Sequence, residues 1–207
     1  MNTKHSGNRQ KRGVRRRHPN LGSYLIVTDT EETEKRYFEG LKASLPKNVI
    51  NNVSIKVVNT KTQKLISKAK EYQSKESKYS QIWIVFDKDQ VVNFDAIIAE
   101  AEKCGIEVGW SNPCFEIWLA AYFGEMPNWN TSVNCCKKFG ELFAEKTGKE
   151  YEKNLKTLYD ELTKYGNEDK AISLAISKLA EAERKYRNPS DQSPATTVFK
   201  LVKEIKE

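Results

Sequence analysis

Ile82-Trp83-Ile84-Val85-Phe86-Asp87-Lys88-Asp89 is the stretch from which the rest of the chain can be read. A short apolar, β-branched run suits a strand covered on both faces, as in a parallel sheet. The run stops abruptly at two carboxylates separated by one residue. In an extended chain, residues i and i+2 point to the same side, so Asp87 and Asp89 can aim at one point in space. Like charges held that close repel, and one is forced neutral unless a cation sits between them. Oxygen ligands at a strand end suit Mg²⁺. The competing reading is a solvated Asp-Lys-Asp turn, which is the plainer one for the pair by itself; the rest of the chain shifts the balance.

Charge is informative once it is located. The 207 residues carry a formal net charge of +7. Lys4, Arg9, Lys11, Arg12, Arg15, Arg16 and Arg17 fall in residues 1–17, which hold no acid. Without those seven, 28 basic residues stand against 28 acidic ones, so the net charge sits in the arm and the remainder is neutral. Residues 1–22 show no hydrophobic period and read as a basic disordered arm. Such an arm neutralises phosphates and holds nucleic acid with strong salt dependence, or serves simply as a solubilising tail. No apolar run approaches about 20 residues, so no membrane span is expected. The basic segment leads into His18-Pro19-Asn20 rather than an apolar signal core. The four cysteines, Cys104, Cys114, Cys135 and Cys136, form no Cys-x-x-Cys pair, and both histidines lie in the arm. Zinc gains no support from that spacing, and the thiols read as reduced residues of a cytoplasmic protein.

Tyr24-Leu-Ile-Val-Thr28 reads as the first strand and is followed by an acidic segment and a helix to about Ala43. Tyr37, Phe38 and Leu41 give that helix an apolar stripe. Asp29 stands at the strand-to-helix junction, where open α/β sheets gather their ligands. A capping box, Thr28 with Glu31 or Asp29 with Glu32, explains the same residue, and the cap is the plainer reading. Val53–Val58 is a half-exposed or edge strand, Thr62 opens a helix to about Ser74, and Asn93 caps a helix over 94–104 that ends at Gly105. Ile106–Trp110 is the fourth strand. This alternation predicts an α/β fold, a mainly parallel sheet flanked by helices.

In Ser111-Asn-Pro-Cys-Phe-Glu-Ile-Trp-Leu119, Asn112 as cap and Pro113 as first helical residue make a good helix start. Glu116 then lies in the first turn, either as a dipole-complementing acid or as a further carboxylate over the sheet edge. Helices are expected over 132–146, 154–164, 168–186 and 195–206, with Thr196 or Thr197 capping the last. Residues 23–125 thus form an α/β core, and 126–207 a C-terminal helical extension packed on it. Lys153, Arg184 and Arg187 are cations within conceivable reach of the sheet edge. No phosphate-cradling glycine motif is present, so a small-molecule nucleotide enzyme rates last.

Leu25-Ile-Val-Thr-Asp-Thr-Glu-Glu-Thr-Glu-Lys-Arg-Tyr-Phe38, Val85-Phe-Asp-Lys-Asp89, Ser111-Asn-Pro-Cys-Phe-Glu-Ile-Trp-Leu119, Tyr151-Glu-Lys-Asn154 and Pro194-Ala-Thr-Thr-Val198 together resemble the RloB-like family. That family is similar to the Toprim nucleases and includes components of bacterial abortive-infection, or phage-defence, systems. The resemblance implies a Toprim-like sheet whose acidic cluster binds Mg²⁺, or Mn²⁺ in its place. Toprim enzymes use an acid after the first strand for acid/base work and an Asp-x-Asp after the third for metal. On this chain those positions are Asp29, Asp87 and Asp89, with Glu116 a further family-specific catalytic candidate. Where the family usually has Glu-Gly, this chain has Asp29-Thr30, and Glu31 or Glu34 are the acids that could stand in. Where the family often carries a histidine, the chain has Tyr122.

The function expected on that basis is a Mg²⁺-dependent nuclease acting on DNA or RNA, tRNA included, with a partner ATPase plausible from family relatives. The alternative is a catalytically weakened Toprim-like module that binds nucleic acid or a protein partner.

Overall fold

A computed structural model describes residues 23–29, 32–58, 61–76, 78–89 and 91–206. The basic arm expected over residues 1–22 lies outside them. In chain order the elements are β1 (Tyr24–Thr28), α1 (Thr33–Ser44), α2 (Lys47–Ile50), β2 (Val53–Val57), α3 (Leu65–Lys75), β3 (Gln81–Asp87), α4 (Phe94–Lys103), β4 (Glu107–Asn112), α5 (Glu116–Ala121), α6 (Ser132–Thr147), α7 (Leu158–Tyr165), α8 (Glu168–Lys185), β5 (Ala195–Thr196) and α9 (Val198–Lys206). The sheet order is β2-β1-β3-β4-β5, parallel except for the antiparallel β4–β5 pair. The expected α/β class is therefore what the chain adopts.

The apolar runs explain this order. Leu25, Ile26 and Val27 of β1 and Ile84, Val85 and Phe86 of β3 are fully buried, as strands covered by helices on both faces must be. β2, with its alternating pattern, takes an edge. Pairing of Thr28 with Val85 and of Asp87 with Ser111 sets the carboxyl ends of β1, β3 and β4 side by side. Everything attached to those ends meets at one edge. Gly105, at φ +68°, takes the left-handed conformation that closes α4 and turns the chain into β4.

The helices that follow Thr131 pack back on this layer: α7 lies on α1, α6 and α8 on α5, and α9 on β4. Gly40 is where α1 and α7 cross closely, since a Cβ there would meet Tyr159 Cβ at 2.4 Å. An aromatic cluster fills the space between α1 and α5. Tyr37 makes edge-on contacts with Phe38, Phe115, Trp118, Tyr122 and Tyr159 at centroid separations of 5.2–6.3 Å. Such pairs add about 0.5–1.5 kcal/mol each beyond area burial.

Four element boundaries differ from the sequence expectation. Helix α1 opens at Thr33 behind Glu32, with no side-chain cap, so the proposed box of Asp29 with Glu32 does not form, while Glu31 of the other box lies outside the described residues. Asn112 and Pro113 do not start a helix. Asn112 ends β4 by pairing with Ala195, its amide donates to the carbonyls of Pro189 and Ser190 at 3.2 and 3.0 Å, and the Asn112–Pro113 bond is cis. Residues 195–196 are strand rather than helix. Here Thr196 Oγ1 donates to Trp110 O at 3.0 Å and Thr197 Oγ1 to Val108 O at 2.8 Å, which ties them to β4. Helix α7 starts at Leu158 instead of Asn154, because the preceding residues wind in turns that seat the Tyr151 ring 4.7 Å from that of Phe139.

Candidate metal centre

At the carboxyl edge of the sheet lies a cleft of about 390 Å³. Among the described residues, six acids line it (Asp29, Glu32, Glu34, Asp87, Asp89 and Glu116), and the lysines are Lys61 and Lys153. Asp29 follows β1 and Asp87 is the last residue of its neighbour β3, so adjacent parallel strands deliver both. Asp89 is carried on the turn beyond, where Asp89 N–H donates to Pro113 O at 3.1 Å and Lys88 N–H to Ser111 O at 2.8 Å. Glu116 begins α5 and is only 2% exposed. Glu34, in the first turn of α1, is 6% exposed.

Each acid is held differently. Thr62 Oγ1, in the turn before α3, donates to Asp29 Oδ2 at 3.0 Å. Tyr151 donates its hydroxyl to Glu116 Oε1 at 2.9 Å and lies 3.1 Å from Thr33 Oγ1, so one phenol bridges α1 and α5. Exposed Asp89 accepts a short hydrogen bond from Ser132 at the start of α6. Asp87 stands apart: its Oδ1 is buried and has no hydrogen-bond partner among the described residues.

The electrostatics follow from that crowding. Burial pushes the Asp87 carboxyl well above the usual range, and the charges of Glu34, Glu116 and Asp29 push the same way, against a backbone N–H of Phe115. Burial also raises Asp29, which the Thr62 hydrogen bond partly offsets. Burial pulls Lys153 down, but Cys136, Glu116, Glu32 and Glu34 together outweigh it and hold the ammonium charged.

All four acids named from the sequence, Asp29, Asp87, Asp89 and Glu116, line this one cleft. Asp29 is not a helix cap; its carboxylate is taken up by Thr62. Lys153 reaches the rim, whereas Arg184 and Arg187 are exposed around the end of α8 and do not line the cleft. Tyr122 is buried away from it, 2.7 Å from the Tyr37 hydroxyl and donating to Glu168 at 2.9 Å. Arg9, Lys11, Arg12, Arg15, Arg16 and Arg17 lie outside the described residues.

The family model of RloB-like proteins matches residues 24–205, nearly the whole described chain. The chain belongs to the RloB-like family. Searches of curated proteins and of solved structures each return no match.

In this RloB-like chain the structure adds residues to the cleft that sequence reasoning left unplaced or missed. Glu34 is the acid that faces Asp87 most strongly, ahead of Glu116 and Asp29. An acid in a first helical turn is ordinarily explained by the helix dipole, which masked its position. Cys114 and Cys136 also line the wall, although they lie far apart in sequence. Their Sγ atoms and a Glu116 carboxylate oxygen lie within 4.8 Å of one another. Only the fold brings those two thiols together, so a search for paired cysteines passes over them.

Chemically, a buried carboxylate oxygen without a donor, ringed by further carboxylates, fits a hard divalent cation. Asp87 supplies that oxygen, Asp29, Glu34 and Glu116 are the carboxylates around it, and Asp89 can add one at the mouth. Among the described residues, no helix is long and apolar enough to cross a membrane.

Proposed function

We propose that this RloB-like chain is a metal-dependent phosphodiester hydrolase acting on nucleic acid, with a Toprim-like use of the sheet edge and a role in bacterial phage defence. The observation that carries the reading is the partnerless, buried Asp87 Oδ1 among like charges. A protein gains nothing in stability from such an arrangement unless a cation or a reacting group completes it. Asp87, Asp89 and Asp29 hold Mg²⁺ or Mn²⁺, and when bound the ion polarises a phosphate oxygen and lowers the pKa of a water. Glu34 stands in for the glutamate that the family resemblance leads one to expect after the first strand, and accepts the proton from the attacking water. Tyr151 fixes the rotamer of Glu116, and the Lys153 ammonium meets the incoming phosphate at the rim. The basic residues of 1–17 hold the nucleic acid through its phosphates, DNA or RNA alike, tRNA included, and an ATPase is the expected protein partner.

A second reading has an observation of its own. Asp29 and Asp89 are each already engaged by a hydroxyl, from Thr62 and Ser132, which favours a scaffold that binds nucleic acid or a partner without cutting. Cleavage of mixed DNA, total RNA and tRNA in Mg²⁺, Mn²⁺ or EDTA separates the two. The nuclease reading expects metal-dependent products with the wild type and none with Asp87→Ala/Asp89→Ala. Products that persist in the double variant contradict it.

A further inference from the structure

The cleft contains a second set of donors that an oxygen-seeking ion does not explain. Cys114 sits on the connection from β4 to α5, Glu116 opens α5, and Cys136 lies early in α6. Each offers one ligand atom, and these atoms fall within 4.8 Å of one another. All three residues line the cleft wall. Cys114 is buried and Cys136 is half-buried, and neither is in a disulfide. The Cys114 thiol donates weakly to the Ser132 carbonyl at 3.9 Å and lies against the thiols of Cys135 and Cys136. Glu116 is held in place from behind by Tyr151, as a metal-binding carboxylate usually is by an outer hydrogen bond. Asp87, whose Oδ1 is buried without a partner, lines the same cleft and marks it as short of positive charge.

Donor softness separates the two halves of the wall. Thiolates select zinc and similar borderline-soft ions, whereas carboxylates alone suit magnesium and manganese. Two sulfurs and one carboxylate make three protein ligands, which leaves a fourth tetrahedral position open to the cleft. We propose that Cys114, Cys136 and Glu116 bind a thiophilic divalent cation, zinc, at the inner wall of the cleft. As each sulfur–metal bond forms, its thiol proton passes to solvent. Zinc held there withdraws Glu116 from the carboxylate set around Asp87. The assignment rests on the donors alone and stands whether or not the chain cleaves nucleic acid.

The test uses the full reduced chain, stripped with a chelator and titrated with Co²⁺ as a spectroscopic substitute for zinc. The expected result is a saturable thiolate-to-cobalt charge-transfer band in the near ultraviolet. Zinc abolishes that band by displacement, and a large excess of Mg²⁺ leaves it in place. Cys136→Ser, at the half-buried position, loses the band while keeping the wild-type circular dichroism. Because Cys114→Ser risks unfolding, its role is read in the wild type, where the charge-transfer intensity per bound Co²⁺ is that of two thiolates and not of one. Asp87→Asn keeps the band, which separates this site from the oxygen-donor site. The proposal is overturned by the absence of a band, by a band that survives Cys136→Ser, or by one that Mg²⁺ removes.

Discussion

Two enclosed acids in this chain are treated in opposite ways. Glu168, at the start of α8, accepts from the hydroxyls of Tyr122 and Tyr159 at 2.9 Å each and from the Lys206 ammonium. Tyr122 gives its proton to Glu168, so the Tyr37 hydroxyl must donate to Tyr122 across their 2.7 Å contact. That network is complete. Asp87 has an oxygen with no partner and three acids as neighbours. The first arrangement fastens α1, α5, α7, α8 and α9 together. The second stores unfavourable charge at the one edge where four strands and their following segments converge. The acid that fastens the helices is satisfied by its neighbours, and the acid at the sheet edge keeps an oxygen that a bound cation would satisfy.

The contrast predicts opposite signs for mutations at the two places. The largest effect is expected for Glu168→Ala, which strands two tyrosine hydroxyls and a lysine. It should lower stability by about 3 kcal/mol, the lower end for a broken buried pair because Lys206 is partly exposed. Urea unfolding with an unchanged m-value measures it. Tyr122→Phe should lose about 2 kcal/mol by leaving the Tyr37 hydroxyl buried without its acceptor, with no change in any metal response. If Tyr122→Phe is neutral, the network is not what binds these helices.

Asp87→Asn should instead raise metal-free stability, by about 1 kcal/mol, since it removes a charge that burial and its neighbours disfavour. The pH dependence sharpens this. The folded-state pKa of Asp87 is raised above its unfolded value of about 3.9, so in that window the folded chain holds the extra proton. Wild-type stability relative to Asp87→Asn therefore falls as pH rises from about 4 through the raised value, and it is recovered on acidification. Glu34, Glu116 and Asp29 act on Asp87 through their charges, so the difference reports Asp87 together with the acids around it. A flat difference across that range would contradict the account of Asp87.

Much of this was legible in the sequence, and the reasons for the rest are local. The runs 24–28 and 82–86 announce buried strands because nothing else keeps so many β-branched and aromatic residues together. Once they are parallel neighbours, Asp29 and Asp87 must share an edge. Asn112-Pro113 obeyed the grammar of a helix start, yet an antiparallel partner was waiting at Ala195, a long-range pairing that local signals do not carry. Ala195 and Thr196 misled for the same reason, since they pair with β4, although the Thr196 hydroxyl also accepts from Val198 N–H at 3.2 Å as the expected cap of α9. Glu34 was hidden behind an adequate local explanation, and Cys114 and Cys136 behind their separation in sequence.

The central claim is that Asp87 and its neighbours form a site completed by a divalent cation. Calorimetric and thermal-shift titration of chelator-stripped wild type beside Asp87→Asn, with Mg²⁺ and then Mn²⁺, tests it most directly. The account predicts saturable binding with a rise in Tm for the wild type, and neither for Asp87→Asn. An absence of any response in the wild type, or an equal response in the variant, would contradict it.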